Sequence, residues 1–388
     1  MKIRLMLLIC FVMIFINFNP KVFAADKKDF SSTPRTNQGN KWRIAYLEGG
    51  EYENYFKYLS GTVSGLMDLG WIEKMDIPKF KEETSKNLWN WLSTKASSKY
   101  IEFVKDGYYS ARWDEQTRKQ LKQNIIHRLN HRKDIDLIIA MGTWAGVDLA
   151  NNDHSVPTII MSTSDPVGSG IISSIDDSGF DHVHARVDPF RYERQVRIFH
   201  DLIKFKRLGI AYENSIAGKS YAAVDLVEKV GAEKGFDIIR CHTISDTYDQ
   251  QAADKSFVSC FEELINKQVD AIYVTVQGGV NSNTIPFVVK EAISHKVPTF
   301  SQFGSKEVKW GLLLSISRSG DFKPAGRFFA SIIGQVFNSA KPRKLNQKFE
   351  EDQKLAINIQ TAEKLGLYLH ADILAATDEF YQEIEAPQ

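Results

Sequence analysis

The stretch Asp136 to Ile172, DLIIAMGTWAGVDLANNDHSVPTIIMSTSDPVGSGII, decides the reading of the fold. Asp136-Leu137-Ile138-Ile139-Ala140 and Thr158-Ile159-Ile160-Met161 are apolar runs too short for buried helices. Glycine, proline and hydroxyl residues bound them, so both read as strands buried on two faces. Between them lies room for one short helix, opening at Gly142-Thr143-Trp144 and ending before Pro157. Strand, helix, strand in this order is the unit of a parallel sheet.

The same alternation continues in both directions. Upstream, Arg43 to Leu47 reads as a strand, followed by a helix that carries Tyr52, Phe56, Leu59, Val63 and Leu66 on one face and ends at Gly70. Leu121, Ile125 and Leu129 mark a further helix. Downstream come a helix through Tyr192, Val196, Phe199 and Leu202, the strand Leu208 to Tyr212, a helix from about Lys219 to Lys234 and the strand Phe236 to Ile239. A helix from Ala252 to Lys267, the strand Ala271 to Val276, a helix from Ile285 to Ser294 and the strand Thr299 to Ser301 complete a second array. Leu312 to Ile316 and Ala356 to Ile359 are left to be shared between the arrays, with a helix through Phe322 to Phe337. The fold class is therefore α/β, in two Rossmann-like doubly wound lobes.

Length and charge agree with two cores. The chain has 388 residues, 43% of them hydrophobic, which excludes disorder as its main state. Lys+Arg number 49 against Asp+Glu 48, too balanced for a nucleic-acid partner. Lys2 and Arg4 precede an apolar run from Leu5 to about Phe18, and Val22-Phe23-Ala24 follows. That is the layout of a secretory signal peptide, residues 1–24, in a run too short to span a bilayer. Residues 25–40 are polar and read as a flexible N-terminal segment. An exported, periplasmic protein that is not membrane-spanning once the signal is removed is the expectation. Cys241 and Cys260 then remain, expected as two buried, unpaired thiols rather than a bridge.

In open α/β sheets ligands bind beyond the carboxyl ends of the strands, where loops feed helix N-termini. Those loops hold Gly49 and Tyr52; Gly142, Thr143 and Trp144; Ser164 and Asp165; Asn214 and Ser215; Gln277; and Gln302 with Phe303. Small hydroxyl and amide side chains beside aromatics suit a small polar or zwitterionic ligand. No nucleophile elbow, cofactor loop or metal set is visible, so no enzyme, cofactor or metal is expected. His127 and His131 have metal-ligand spacing, but Arg128, Arg132 and Lys133 surround them and mark a solvated helix end. His182 and His184 alternate in what reads as a crossover strand.

The stretch from Asp136 to Ile172, with RLGIAYENSIAGKSYAA, VDAIYVTVQ, KVPTFSQF and LAINIQTAEKLGL, resembles the ABC transporter substrate-binding proteins of the tryptophan/tyrosine-transport type. The resemblance implies a type I periplasmic binding fold, a Venus flytrap of two lobes joined by three crossover segments. It also implies capture of an amino-acid-like or related solute and its delivery to an ABC permease at the inner membrane; the alternative is a ligand-sensing subunit for a membrane receptor. By the same resemblance Thr143 helps to hold a ligand carboxylate, Ser164 and Asp165 form the cleft floor, and Asn214 with Ser215 faces them. Gln277 stands where relatives often carry an acid, which argues against a ligand amine at that point. The expected division is 41–165 plus 305–340 for the first lobe and 166–304 plus 341–388 for the second. Within the first, residues 74–115 are longer than the family leads one to expect and dense in aromatics, as a lid, a docking face or a small helical insertion with its own satellite core.

Overall fold

The computed structural model describes residues 30–318 and 322–387. The expected signal peptide, residues 1–24, and residues 25–29 lie outside them. Twelve strands are present among the described residues: β1 (Trp42–Glu48), β2 (Ile101–Ser110), β3 (Leu137–Met141), β4 (Thr158–Met161), β5 (Val183–Ala185), β6 (Arg207–Tyr212), β7 (Asp237–His242), β8 (Ala271–Val274), β9 (Thr299–Ser301), β10 (Leu314–Arg318), β11 (Gln353–Asn358) and β12 (Glu379–Tyr381). They form two sheets, ordered β2-β1-β3-β4-β5 and β12-β11-β10-β9-β8-β6-β7. All pairings are parallel except β10 with β11.

Alternate residues along each strand serve opposite layers, as the pleat requires. Ile44 and Tyr46 of β1 join Leu137, Ile139 and Met141 of β3 in one core, while Ala45, Leu47, Ile138 and Ala140 face another. The second sheet divides likewise: Tyr273 lies on one side, Ile272 and Val274 on the other. Each sheet is thus covered on both faces by helices, the arrangement behind its near-continuous apolar strands.

The lobe boundaries differ from those expected. β5 pairs with β4, so the first sheet runs to Ala185 rather than stopping at Asp165. β10 and β11 both belong to the second sheet and are not shared. The part of 305–340 that packs on the first lobe is the helix Lys323–Phe337, laid across Glu53–Asp68. The chain changes lobe after Ala185, after β10 and again before Gln353, where Val187 bridges Lys348. Three crossings result.

Residues 74–115 have no satellite core of their own. They supply the helix Ser85–Lys95 and the edge strand β2. Trp71 and Trp89 are fully buried in the main first-lobe core, and the Trp89 indole donates to the Val104 carbonyl at 3.1 Å. Residues 30–40 also differ from a free leader. The Trp71 indole donates to the Ser32 carbonyl, Arg35 to that of Phe337, and Asn338 to that of Thr33.

Cys241 and Cys260 are joined in a disulfide, against the expectation of free thiols. The end of β7 lies beside the helix Gln250–Asn266 with the two Cα atoms 5.6 Å apart, a tertiary approach that spacing along the chain does not announce. The helix expected from Lys219 to Lys234 is broken in two, Ile216–Tyr221 and Val224–Lys234, by Ala223 in the left-handed region.

Candidate ligand-binding site

A cleft of about 420 Å³ lies between the sheets, walled by both. From the first lobe come Tyr52, Tyr55 and Tyr58 around the start of the helix Glu53–Asp68, Trp113 after β2, Ser162 to Ser164 after β4, and Arg186 after β5. The second supplies Arg191 and Tyr192 at the start of the helix Arg191–Ile203, Tyr221, Ser245 to Thr247 after β7, Val276 to Gly278 after β8, and Phe303, Glu307 and Trp310 after β9. Most of this wall comes from carboxyl-end loops, where parallel sheets place their ligands.

Of the residues singled out from sequence, Tyr52, Ser164, Gln277 and Phe303 line the cleft. Gln277 is buried and already engaged: its amide donates to the Ala211 carbonyl and its oxygen accepts from the Thr243 hydroxyl at 2.6 Å. Gln302 sits behind the wall, where it ties the Tyr221 carbonyl to the Val276 amide. Gly49 and Gly142 admit neighbouring rings. A Cβ at Gly49 would lie 2.8 Å from Trp113, and one at Gly142, where φ is +85°, 1.8 Å from the Tyr55 hydroxyl. Thr143 is buried outside the wall, its hydroxyl unpartnered among the described residues.

The remaining four hold the lobes or their turns. Trp144 donates through Nε1 to Oδ2 of Asp246 at 2.7 Å, a bond from one lobe to the other, with the Arg118 guanidinium 4.4 Å above its ring. The Asp165 carboxylate accepts from the Gly168 amide, while its carbonyl accepts from the Ser220 hydroxyl across the cleft at 3.0 Å. Ser215 caps the helix Ile216–Tyr221, and Asn214 is exposed beside it. Lys306 and Glu53 add an interlobe ion pair at 3.0 Å.

Arg191, Asp246, Tyr55 and Tyr221 were not singled out from sequence. Reading the β7 strand through Cys241, instead of ending it at Ile239, would have placed Ser245 to Thr247 in a carboxyl-end loop. Arg191 offered no such signal, because an arginine at a helix start is ordinarily solvated. His127 and His131 stack with centroids 4.2 Å apart on an exposed helix face, and His184 is buried with Nε2 against the Asn346 carbonyl.

Burial dominates the electrostatics. It pushes the carboxyls of Asp246, Glu307 and Glu48 up to about 7; the Tyr221 hydroxyl and Trp144 indole, the Ser301 hydroxyl, and the Tyr108 and Tyr46 hydroxyls respectively pull part of the way back. Each such group takes up a proton in the native state that the unfolded chain does not, so stability should rise as pH falls from 8 toward 6.5. Burial also lowers His154 and His184 to about 4, and from pH 6.5 downward these rings oppose the trend because only the unfolded chain protonates them. Thermal melts should therefore show a higher Tm at pH 6.5 than at pH 8, worth on the order of 2 kcal/mol per pH unit near pH 7. A Tm that climbs with pH across that window would refute the assignment.

Residues 99–381 match the family model described as ABC transporter substrate binding protein. A tyrosine-binding protein of Clostridioides difficile (strain R20291) is 24% identical over 164 residues, which span 42% of this chain and 44% of that relative. Among solved structures, an ABC domain of Streptococcus pneumonia in complex with L-Trp is similar with a TM-score of 0.65 at 20% identity, covering 88% of this chain and 100% of that one. A ligand-free, open substrate-binding protein with adhesive properties from Clostridium difficile gives a TM-score of 0.56 at 18% identity, covering 87% and 98%. The two sheets, the three crossings and the cleft between the lobes are those of a type I periplasmic binding fold, and the chain belongs to the ABC transporter substrate-binding protein family.

Proposed function

We propose that this chain is the exported solute-binding component of an ABC transporter, which takes a small organic solute into the cleft and delivers it unchanged to a membrane permease. The observation that carries the reading is the cleft itself, whose wall is incomplete unless both lobes contribute. A solute that touches Tyr55 and Tyr58 on one side and Tyr192 and Tyr221 on the other makes all of those contacts only when the lobes are together, so binding favours closure. Trp144 to Asp246 and Ser220 to Asp165 form in the same state. Conversion of a mostly open population to a mostly closed one, from 1:99 to 99:1, requires about 5.5 kcal/mol of differential affinity.

The disulfide suits an oxidising compartment. No helix among the described residues is long and apolar enough to cross a membrane. The relatives point to amino-acid-like solutes: one is named for tyrosine, and another was solved with L-Trp. Small-angle scattering with L-tryptophan, L-tyrosine, benzoate and ribose at saturating concentration tests the reading. A smaller radius of gyration with at least one of them is expected. An unchanged profile with all four, in protein first freed of any co-purified molecule, would overturn it.

A further inference from the structure

Arg191 is 6% exposed, yet it lines the cleft. Its guanidinium makes no hydrogen bond or ion pair among the described residues, and Nε is buried without an acceptor. The other cations of the wall are engaged: Arg186 pairs with Glu351 at 2.9 Å and Lys306 with Glu53 at 3.0 Å. Burying an unpaired guanidinium is costly unless something arrives to pair with it. Arg191 also opens the thirteen-residue helix Arg191–Ile203, so its charge adds to the positive end of the helix dipole, the reverse of the usual preference. Asp188 is coupled to Arg186 and Arg191, but both of its oxygens lack a hydrogen-bond donor and burial raises its pKa, which makes it a weak counter-ion.

The cleft is also polarised from end to end. Arg186 lies 5.9 Å from the ring of Tyr58, and Arg191 5.0 Å from that of Tyr192, so the cationic end adjoins the crossover. Asp246 is at the Tyr55 end, where the Trp144 indole and the Tyr221 hydroxyl already occupy it. A ligand anion therefore has a buried partner waiting for it, whereas the buried carboxylate of Asp246 is already engaged.

Resting on the solute-binding reading above, we infer that Arg191 anchors the carboxylate of an aromatic organic acid in this cleft, with the ring against Tyr58 and Tyr192. The guanidinium fork donates to both carboxylate oxygens at once, which lysine cannot reproduce.

The test is calorimetry and thermal shift on the intact protein with L-tyrosine, L-tryptophan, benzoate and indole-3-propionate, and with tyramine as the same ring without the carboxylate. At least one carboxylate should bind, tyramine should not, and Arg191→Gln should weaken the bound acid on the order of 30-fold, the factor that ~2 kcal/mol of charge-assisted hydrogen bonding represents. Arg191→Lys should recover part of that loss, and matching circular dichroism of both variants shows that the fold is intact. Equal affinity of tyramine and tyrosine, full affinity in Arg191→Gln, or loss in Thr143→Val in place of Arg191→Gln would each overturn the assignment. Compaction by ribose with no response to any carboxylate would overturn it too, while leaving the solute-binding reading standing.

Discussion

Gly326→Ala will lower the melting temperature of this protein by roughly 4 °C, corresponding to ~3 kcal/mol of overpacking in a chain of this size. The reason is a helix crossing without room for a side chain. Gly61 and Gly65 on Glu53–Asp68 face Gly326 and Ala330 on Lys323–Phe337, and a Cβ at Gly326 would sit 2.1 Å from the Gly61 carbonyl carbon and 2.2 Å from its oxygen. Both obstacles are backbone, so no rotamer change relieves them, and the helices must separate. Separation would open the core that holds Tyr58, Leu59, Phe329 and Ile333. Gly366→Ala is the control. That residue has φ +77° but nothing within 4 Å of its virtual Cβ, so its loss should stay near the ~1 kcal/mol typical of the left-handed penalty. A Gly326→Ala protein that melts within ~1 °C of the parent would show that the helices do not cross at these glycines.

Removing the disulfide has the second large effect. Cys241→Ala with Cys260→Ala should destabilise the protein by ~3 kcal/mol, the loop-closure value for a ring of about 20 residues. The sequence separation is 19, and the enclosed segment contains Ser245, Asp246 and Thr247, all in the cleft wall. Loosening it acts on binding as well as on folding, because Asp246 is the second-lobe end of the bond to Trp144. The double variant should therefore melt lower and bind more weakly, and dithiothreitol should reproduce both effects in the parent protein. Identical melts of the oxidised parent and the double variant would mean that the bridge contributes nothing to stability.

Much of this architecture is legible along the chain because its causes are local. Leu137 to Met141 and Thr158 to Met161 are strands by composition and length, and the turns after them are loops by their glycine, serine and proline. Placing ligand loops at strand carboxyl ends needed only that order, and four of the twelve residues drawn from them line the cleft. Others from the same loops, such as Gln302 and Ser215, brace the wall or cap a helix. A glutamine or serine has donors and acceptors enough for either task, and only its surroundings select one.

Periodicity and turn chemistry by themselves determined that this chain is α/β, that its sheets are mainly parallel and that a ligand belongs at one edge of them. Folding in three dimensions decided what pairs across distance. It placed β5 in the first sheet and β10 with β11 in the second, brought Cys241 to Cys260, and joined Trp144 to Asp246 over 102 positions of sequence. It also left Arg191 buried and unpaired at the cleft wall. Helix and strand propensities act over a few neighbouring residues, whereas these contacts depend on how two lobes built from interleaved segments come together.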